Sequence, residues 1–271
     1  MEVWGGNQAV ERCFETPGLR IWIYSRPYGE AAGGGDVYYL SSCASGRITR
    51  MLLADVSGHG GAVSHLAIAL RDLMRRNVNY IKQTRFVQAM NGQFADFAEQ
   101  GGFATALVTT FFAPTRTFSL CNAGHPAPLM CRANSSEWSE LKSDVQPQHQ
   151  VSDIPLGISG DVDYRQFDTK LRPGDMVLSY SDAVIESLDA EGRQLGQSGI
   201  LKFVRDHATG EPGRLLRELV DRIAALAPSN LQQDDATLLL CQATGTGPTF
   251  MNNLLAPFRL FRGANDRTSF R

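Results

Sequence analysis

Two apolar runs, ATALVTTFF at 104–112 and TFSLCNAG at 117–124, are separated only by the turn APTR. A parallel pair of strands needs a crossover of about a dozen residues or more, so this spacing calls for an antiparallel hairpin. Other strand patterns surround it: RIWIYSRP at 20–27, ITRMLLAD at 48–55, MVLSYSD at 176–182 and ATLLLCQ at 236–242. Between them the apolar period lengthens. Val63, Leu66, Ala67, Leu70, Leu73 and Met74 form one helical stripe, and Phe86, Val87, Met90, Phe94 and Phe97 form a second over 84–98. A further helix begins near 199, after a polar stretch, and Leu216, Leu219, Val220 and Ile223 mark another. Hairpin, scattered strands and intervening helices favour an α+β layered domain over a continuous βαβ fold. Neither GGGD at 33–36 nor GISG at 157–160 supplies the GxGxxG of a dinucleotide site.

The formal charge of the 271 residues is −2, so no overall basic balance drives nucleic-acid binding. The five cysteines contain no CxxC pair, and an odd number cannot close a complete disulfide set within one chain. The beginning of the sequence lacks the basic-then-apolar pattern of a signal peptide, and no stretch has the apolar length of a membrane span. These features predict a cytoplasmic protein. Residues 1–242 read as one domain and 243–271 as a tail, which carries +3 against −5 for the rest. FMNNLLAPFRLFRG within the tail has apolar anchors interrupted by Pro257, the composition of a segment that packs on its own core or docks a partner.

Five acids stand at informative places. Asp36 follows three glycines, Asp55 and Asp182 close apolar strand patterns, and Asp234 and Asp235 precede another. Any one of them is explained by an ordinary turn or cap. Strand ends converge across a sheet, however, and several gathered carboxylates repel one another until a cation joins them. Hard oxygen donors suit Mg²⁺ or Mn²⁺, and no His/Cys set has the spacing of a structural zinc site.

Ordered along the chain are GGGD, LLADVSGHG (52–60), ATALVTTFF, CNAGHPAPL (121–129), IPLGI (154–158), LRPGDMVLSYSDAVIES (171–187) and DDATLLL (234–240). As an ordered set over about residues 20–242 they resemble the sporulation-stage-two-E and sigma-regulator branch of the PP2C metal-dependent serine/threonine phosphatases. The resemblance implies an α-β-β-α sandwich with two central, mainly antiparallel sheets flanked by helices. It implies hydrolysis of phosphoserine or phosphothreonine on a signalling protein, such as an anti-anti-sigma-type regulator, by metal-activated water with two Mn²⁺ or Mg²⁺ ions. By the same resemblance Asp55 bridges the metals, the Val56 carbonyl serves one of them, and Asp36, Asp182 and Asp234 are further ligands. Asp235 is left between an additional divalent ion, a water and the loop itself.

Two departures accompany the likeness. The usual TDG is Ser181-Asp182-Ala183, which loses glycine's access to positive φ. The first motif continues as Val37-Tyr38-Tyr39 where GGDFYD is usual, removing a downstream acid. The first departure keeps open an alternative function, a phosphatase-like module that binds a phosphoprotein without efficient turnover. His59 is a candidate general acid or metal-supporting residue, and Arg26 a candidate phosphate contact. His125 is expected to organise its turn, His65 to lie on a helix surface, and Cys121 to be an inert buried thiol. Ser57 is outside any GxSxG elbow. Gly58, Gly60 and Gly61 are expected to let the chain turn from the metal strand into the helix.

Overall fold

A computed structural model describes residues 2–29, 31–43, 46–58, 63–80, 82–97, 102–135, 137–142, 154–160, 162–207 and 211–247. Among the described residues, twelve strands form two six-stranded sheets. In the first, β1 (Glu2–Gly6), β4 (Asp36–Cys43), β5 (Ile48–Val56), β6 (Ala104–Phe112), β7 (Thr117–Ala123) and β10 (Phe167–Lys170) lie side by side in that order. The second runs β2 (Val10–Thr16), β3 (Leu19–Arg26), β12 (Ala236–Ala243), β11 (Met176–Tyr180), β8 (Leu129–Arg132) and β9 (Glu137–Glu140). Every pairing between these strands is antiparallel, including the β6–β7 hairpin read from the APTR turn.

Alternation along the strands divides the apolar residues among three cores. Leu52, Ala54 and Val56 of β5 meet Leu70, Met74, Phe86 and Phe94 of α1 (Ser64–Asn77) and α2 (Gln83–Phe97). The opposite face of the same sheet, with Tyr38, Leu40, Met51 and Leu107, packs on Ile21, Ile23, Val177, Leu239 and Cys241 of the second sheet. The outer face of that second sheet, with Leu178, Tyr180, Leu238 and Leu240, is covered by α3 (Asp182–Glu186), α4 (Gly196–His207) and α5 (Pro212–Leu226). The result is helix, sheet, sheet, helix, the layered α-β-β-α sandwich that the family resemblance implies. Helix α5 shows how local chemistry sets these limits: Pro212 starts it where no amide donor is needed, and Leu215, Leu216, Leu219, Val220 and Ile223 make one buried stripe.

The strand expected to end on Asp182 instead stops at Tyr180, and Asp182 opens α3. Ser181 is extended there, and the chain turns directly into the helix. Ala183 is therefore helical and buried, and among the described residues only Arg116 and Leu231 combine a side chain with positive φ. Glycine's special freedom is not required at position 183. Residues His59, Gly60 and Gly61, and the tail from 248, lie outside the described residues. No described helix is long and apolar enough to cross a membrane.

Candidate metal centre

The core between the sheets changes from apolar to acidic at one end. Asp36 is the first residue of β4 and pairs in register with Asp55, near the end of β5. Antiparallel partners project on the same face, so both carboxyl groups enter the space between the sheets. From β12 and from the end of β11, Thr237 and Ser181 approach Asp36 and favour the charged form of its carboxyl group. Ser181 Oγ also accepts the Thr237 amide at 3.0 Å, and Thr237 Oγ1 lies 2.9 Å from Ser25 Oγ. All three hydroxyl residues are buried. They form a polar seam that ties β3, β11 and β12 to Asp36.

Burial and the neighbouring acids act together on the cluster. The Asp36 carboxyl is held well above the usual carboxylate range, first by burial and then by Asp55. Burial, followed by the charges of Asp182, Asp234 and Asp235, pushes Asp55 up to about 8. Asp55 and Asp182 act on each other, the nearness of Asp182 raising the proton affinity of Asp55. Asp182 is also raised, by burial and by Glu186 one turn along α3. Without a cation the crowded acids therefore hold protons more tightly than free carboxyl groups do.

Asp235 has a different task. Its Oδ1 accepts the Tyr28 amide at 2.6 Å and its Oδ2 the Gly35 amide at 2.7 Å. A methyl group at Gly34 would lie 2.1 Å from Asp235 Oδ1, so glycine is needed where the loop passes over the carboxylate. On the other side, Gly34 N donates to Asn7 O at 2.8 Å while Asn7 Nδ2 donates to Gly34 O at 3.0 Å. The same Nδ2 reaches Ser64 Oγ, 2.7 Å away, at the start of α1. Asn7 thus fastens the Asp36 loop to the helix that follows Asp55. It was not distinguished in the sequence: a lone asparagine in a glycine-containing stretch gives no hint of a partner twenty-seven residues away.

Asp234 is half-buried beside this brace and accepts the Asp235 amide at 2.8 Å. Arg26 is exposed and donates to Leu231 O at 2.6 Å, which places it against the loop leading to Asp234. Val56 continues β5, and its amide donates to Gly35 O at 3.3 Å. Gly58 adopts φ of 106°, and a methyl group there would lie 2.8 Å from Val63. His125 is buried in its turn, whose Asn122 side chain donates to His125 O and accepts His125 N, each at 2.8 Å. Cys121 is buried, as expected.

Among the described residues, no three Asp, Glu, His or Cys side chains are arranged to hold a metal ion as they stand. The donor chemistry nevertheless fits a hard divalent cation. Asp36 Oδ2 is buried without a hydrogen-bond partner, and the carboxyl groups here have raised proton affinity because they are drawn out of water and crowd one another. A cation would remove both conditions at once.

The profile of stage II sporulation protein E (SpoIIE) matches residues 45–244. Over 146 residues the chain is 27% identical to the phosphoserine phosphatase RsbU of Bacillus subtilis (strain 168), covering 52% of this chain and 41% of RsbU. The RsbU and RsbW domains of a Mycobacterium tuberculosis protein superimpose with a TM-score of 0.66 and 27% identity, over 86% of this chain and 63% of that one. The SiaA PP2C domain of Pseudomonas aeruginosa gives a TM-score of 0.68 at 18% identity, over 82% of this chain and 84% of its own, a likeness of fold. The matched segment thus spans less than half of RsbU. Divalent-metal dependence is typical of PP2C phosphatases. With the profile match across most of its length and the two-sheet sandwich in place, the chain belongs to the SpoIIE family and has the PP2C fold.

Proposed function

We propose that this protein is a serine/threonine phosphatase that hydrolyses phosphoserine or phosphothreonine monoesters on a signalling protein. The observation that carries this reading is the pair of buried Asp36 and half-buried Asp55, in register across β4 and β5, with Asp182 close enough to raise the proton affinity of Asp55. Asp36, Asp55, Asp182 and Asp234, with the Val56 carbonyl, would hold two Mn²⁺ or Mg²⁺ ions. When bound, such ions supply an activated water and neutralise phosphate charge.

The chain's own residues prepare for that chemistry. Ser181 and Thr237 orient Asp36, and the Asp235 brace sets the path of the glycine loop. Arg26, exposed beside the loop, is the proposed phosphate contact, and His59 the proposed general acid or supporting residue of the metal. None of the described thiols has the acidity of a nucleophile where a shift is resolved: burial raises Cys13, Cys43 and Cys131, and pushes Cys241 up to about 12. This supports attack by water.

The similarity to RsbU makes an anti-anti-sigma-type phosphoprotein the substrate to test first. The binding-module alternative drew on Ala183, whose helical conformation removes that motive. Phosphate release from phosphorylated regulator proteins, with Mn²⁺ and with a chelator, tests the reading. Metal-dependent release is expected; a folded, Mn²⁺-binding protein that releases no phosphate from any of them would reject it.

A further inference from the structure

The NAGHP turn holds a buried imidazole outside the carboxylate cluster. His125 is 5% exposed, and burial pushes its ring down to about 3, so it is neutral at working pH. Its backbone is already secured by Asn122. The ring is therefore not required to close the turn, and it reaches outward in two directions.

Toward the first sheet, His125 Nδ1 shares a hydrogen bond of 2.9 Å with Thr105 Oγ1. Thr105 is the β6 residue directly opposite Asp55, and cross-strand partners stand side by side on one face. Toward the second sheet, the ring lies against the Tyr180 backbone, although Nε2 makes no hydrogen bond of ordinary geometry. Tyr180 is the last residue of β11, immediately before Ser181 and Asp182. The same turn is fastened there by its Ala127 carbonyl, which accepts Tyr180 Oη at 3.0 Å and Gln197 Nε2 at 2.7 Å.

We infer that His125 is a positioning residue for the metal centre, bracing Thr105 against the end of β11 and so fixing Asp55 relative to Asp182. Asp55 lies on the first sheet while Asp182 opens α3 just after β11 of the second, and no strand pairing sets the distance between them. A rigid ring spanning the gap supplies that constraint. Removing it would let the carboxyl groups drift without exposing or deleting either of them. The inference rests on reading the cluster as a metal centre.

The test is a calorimetric Mn²⁺ titration of the native protein, His125→Ala, Thr105→Val and the double variant, with unfolding midpoints measured alongside. Partners that orient metal ligands typically contribute about 10–100-fold in affinity. Each single variant is expected to weaken Mn²⁺ binding about tenfold, and the double variant to be little worse than either. Turnover of a small phosphate ester should show a lower kcat with KM little changed. If His125→Ala fails to fold, Thr105→Val carries the same test, because it keeps the ring and removes only the link. A folded single variant with native Mn²⁺ affinity, even with a lowered unfolding midpoint, overturns the inference, as do effects that multiply independently in the double variant. A native protein that binds no Mn²⁺ overturns the metal-centre reading itself, a result distinct from native binding with unaffected variants.

Discussion

Asp36 and Asp55 face each other directly across the β4–β5 ladder, each raised in proton affinity by burial and by the other acids of the cluster. Like charges opposite one another destabilise a sheet. Their placement makes the metal-free protein sensitive to pH in a definite direction. Because both folded-state values lie above the ordinary carboxylate value, the folded protein binds more protons than the unfolded chain as pH rises from about 4. Stability is then lost with rising pH, until about 8 for Asp55. Chemical denaturation of chelated protein at pH 5, 6, 7 and 8 should show this decline, and Asp55→Asn should flatten it. A pH-independent midpoint in the native protein would contradict the charge assignment.

The same proton count predicts the pH dependence of metal binding. A cation must displace protons held by Asp55 and its neighbours, so Mn²⁺ affinity should rise from pH 6 to pH 8 with protons released on binding. Calorimetry in buffers of different ionisation enthalpy measures that release directly. Proton uptake, or affinity falling with pH, would oppose the account.

Glycine substitutions separate the loop from the helices. Gly34→Ala would force a methyl group against Asp235, and a destabilisation of roughly 1–3 kcal/mol with weakened Mn²⁺ binding is expected. Gly92→Ala, on an exposed face of α2 with no atom within 4 Å of the new methyl, should instead stabilise by roughly 0.5–1 kcal/mol. Denaturation midpoints of the two variants should move in opposite directions; movement in the same direction would count against the Asp235 contact.

Asn7→Ala leaves the Gly34 carbonyl and Ser64 without their side-chain donor. A loss of roughly 1–3 kcal/mol is expected from the buried groups left unpaired, together with weaker Mn²⁺ binding because the Asp36 loop loses its link to α1. Unfolding and calorimetry on the one variant check both parts. Native stability would show that the clamp contributes little.

The sequence made the outer frame legible where burial is one-sided. Periodic stripes located α1, α2 and α5, and a short turn defined the β6–β7 hairpin. Strand β4 escaped that logic because seven of its eight residues are buried, so no alternation marks it. Strand β2 was obscured for the opposite reason, being an edge strand with exposed Glu11, Arg12 and Cys13. Apolar pattern could not stop β11 before Asp182, since SYSD gives no helix signal until the chain turns at Ser181. At the site, the acids were visible as residues at strand ends. Their supports were not: Asn7, Thr105 and Thr237 act through partners far away along the chain, which a linear pattern does not encode.

The central claim is that aspartates gathered at one end of the space between the sheets hold a divalent metal for water attack on a phosphoserine or phosphothreonine ester. It is tested most directly by phosphate release from a phosphorylated regulator protein with Mn²⁺, comparing the native chain, the thiol-alkylated chain and Asp55→Asn, with folding and Mn²⁺ occupancy verified. Release by the native chain is expected to require Mn²⁺ and to survive alkylation, while Asp55→Asn should lose Mn²⁺ and fall by roughly 100-fold or more. Retention of native turnover by Asp55→Asn, or a phosphocysteine formed on the pathway, would contradict the claim.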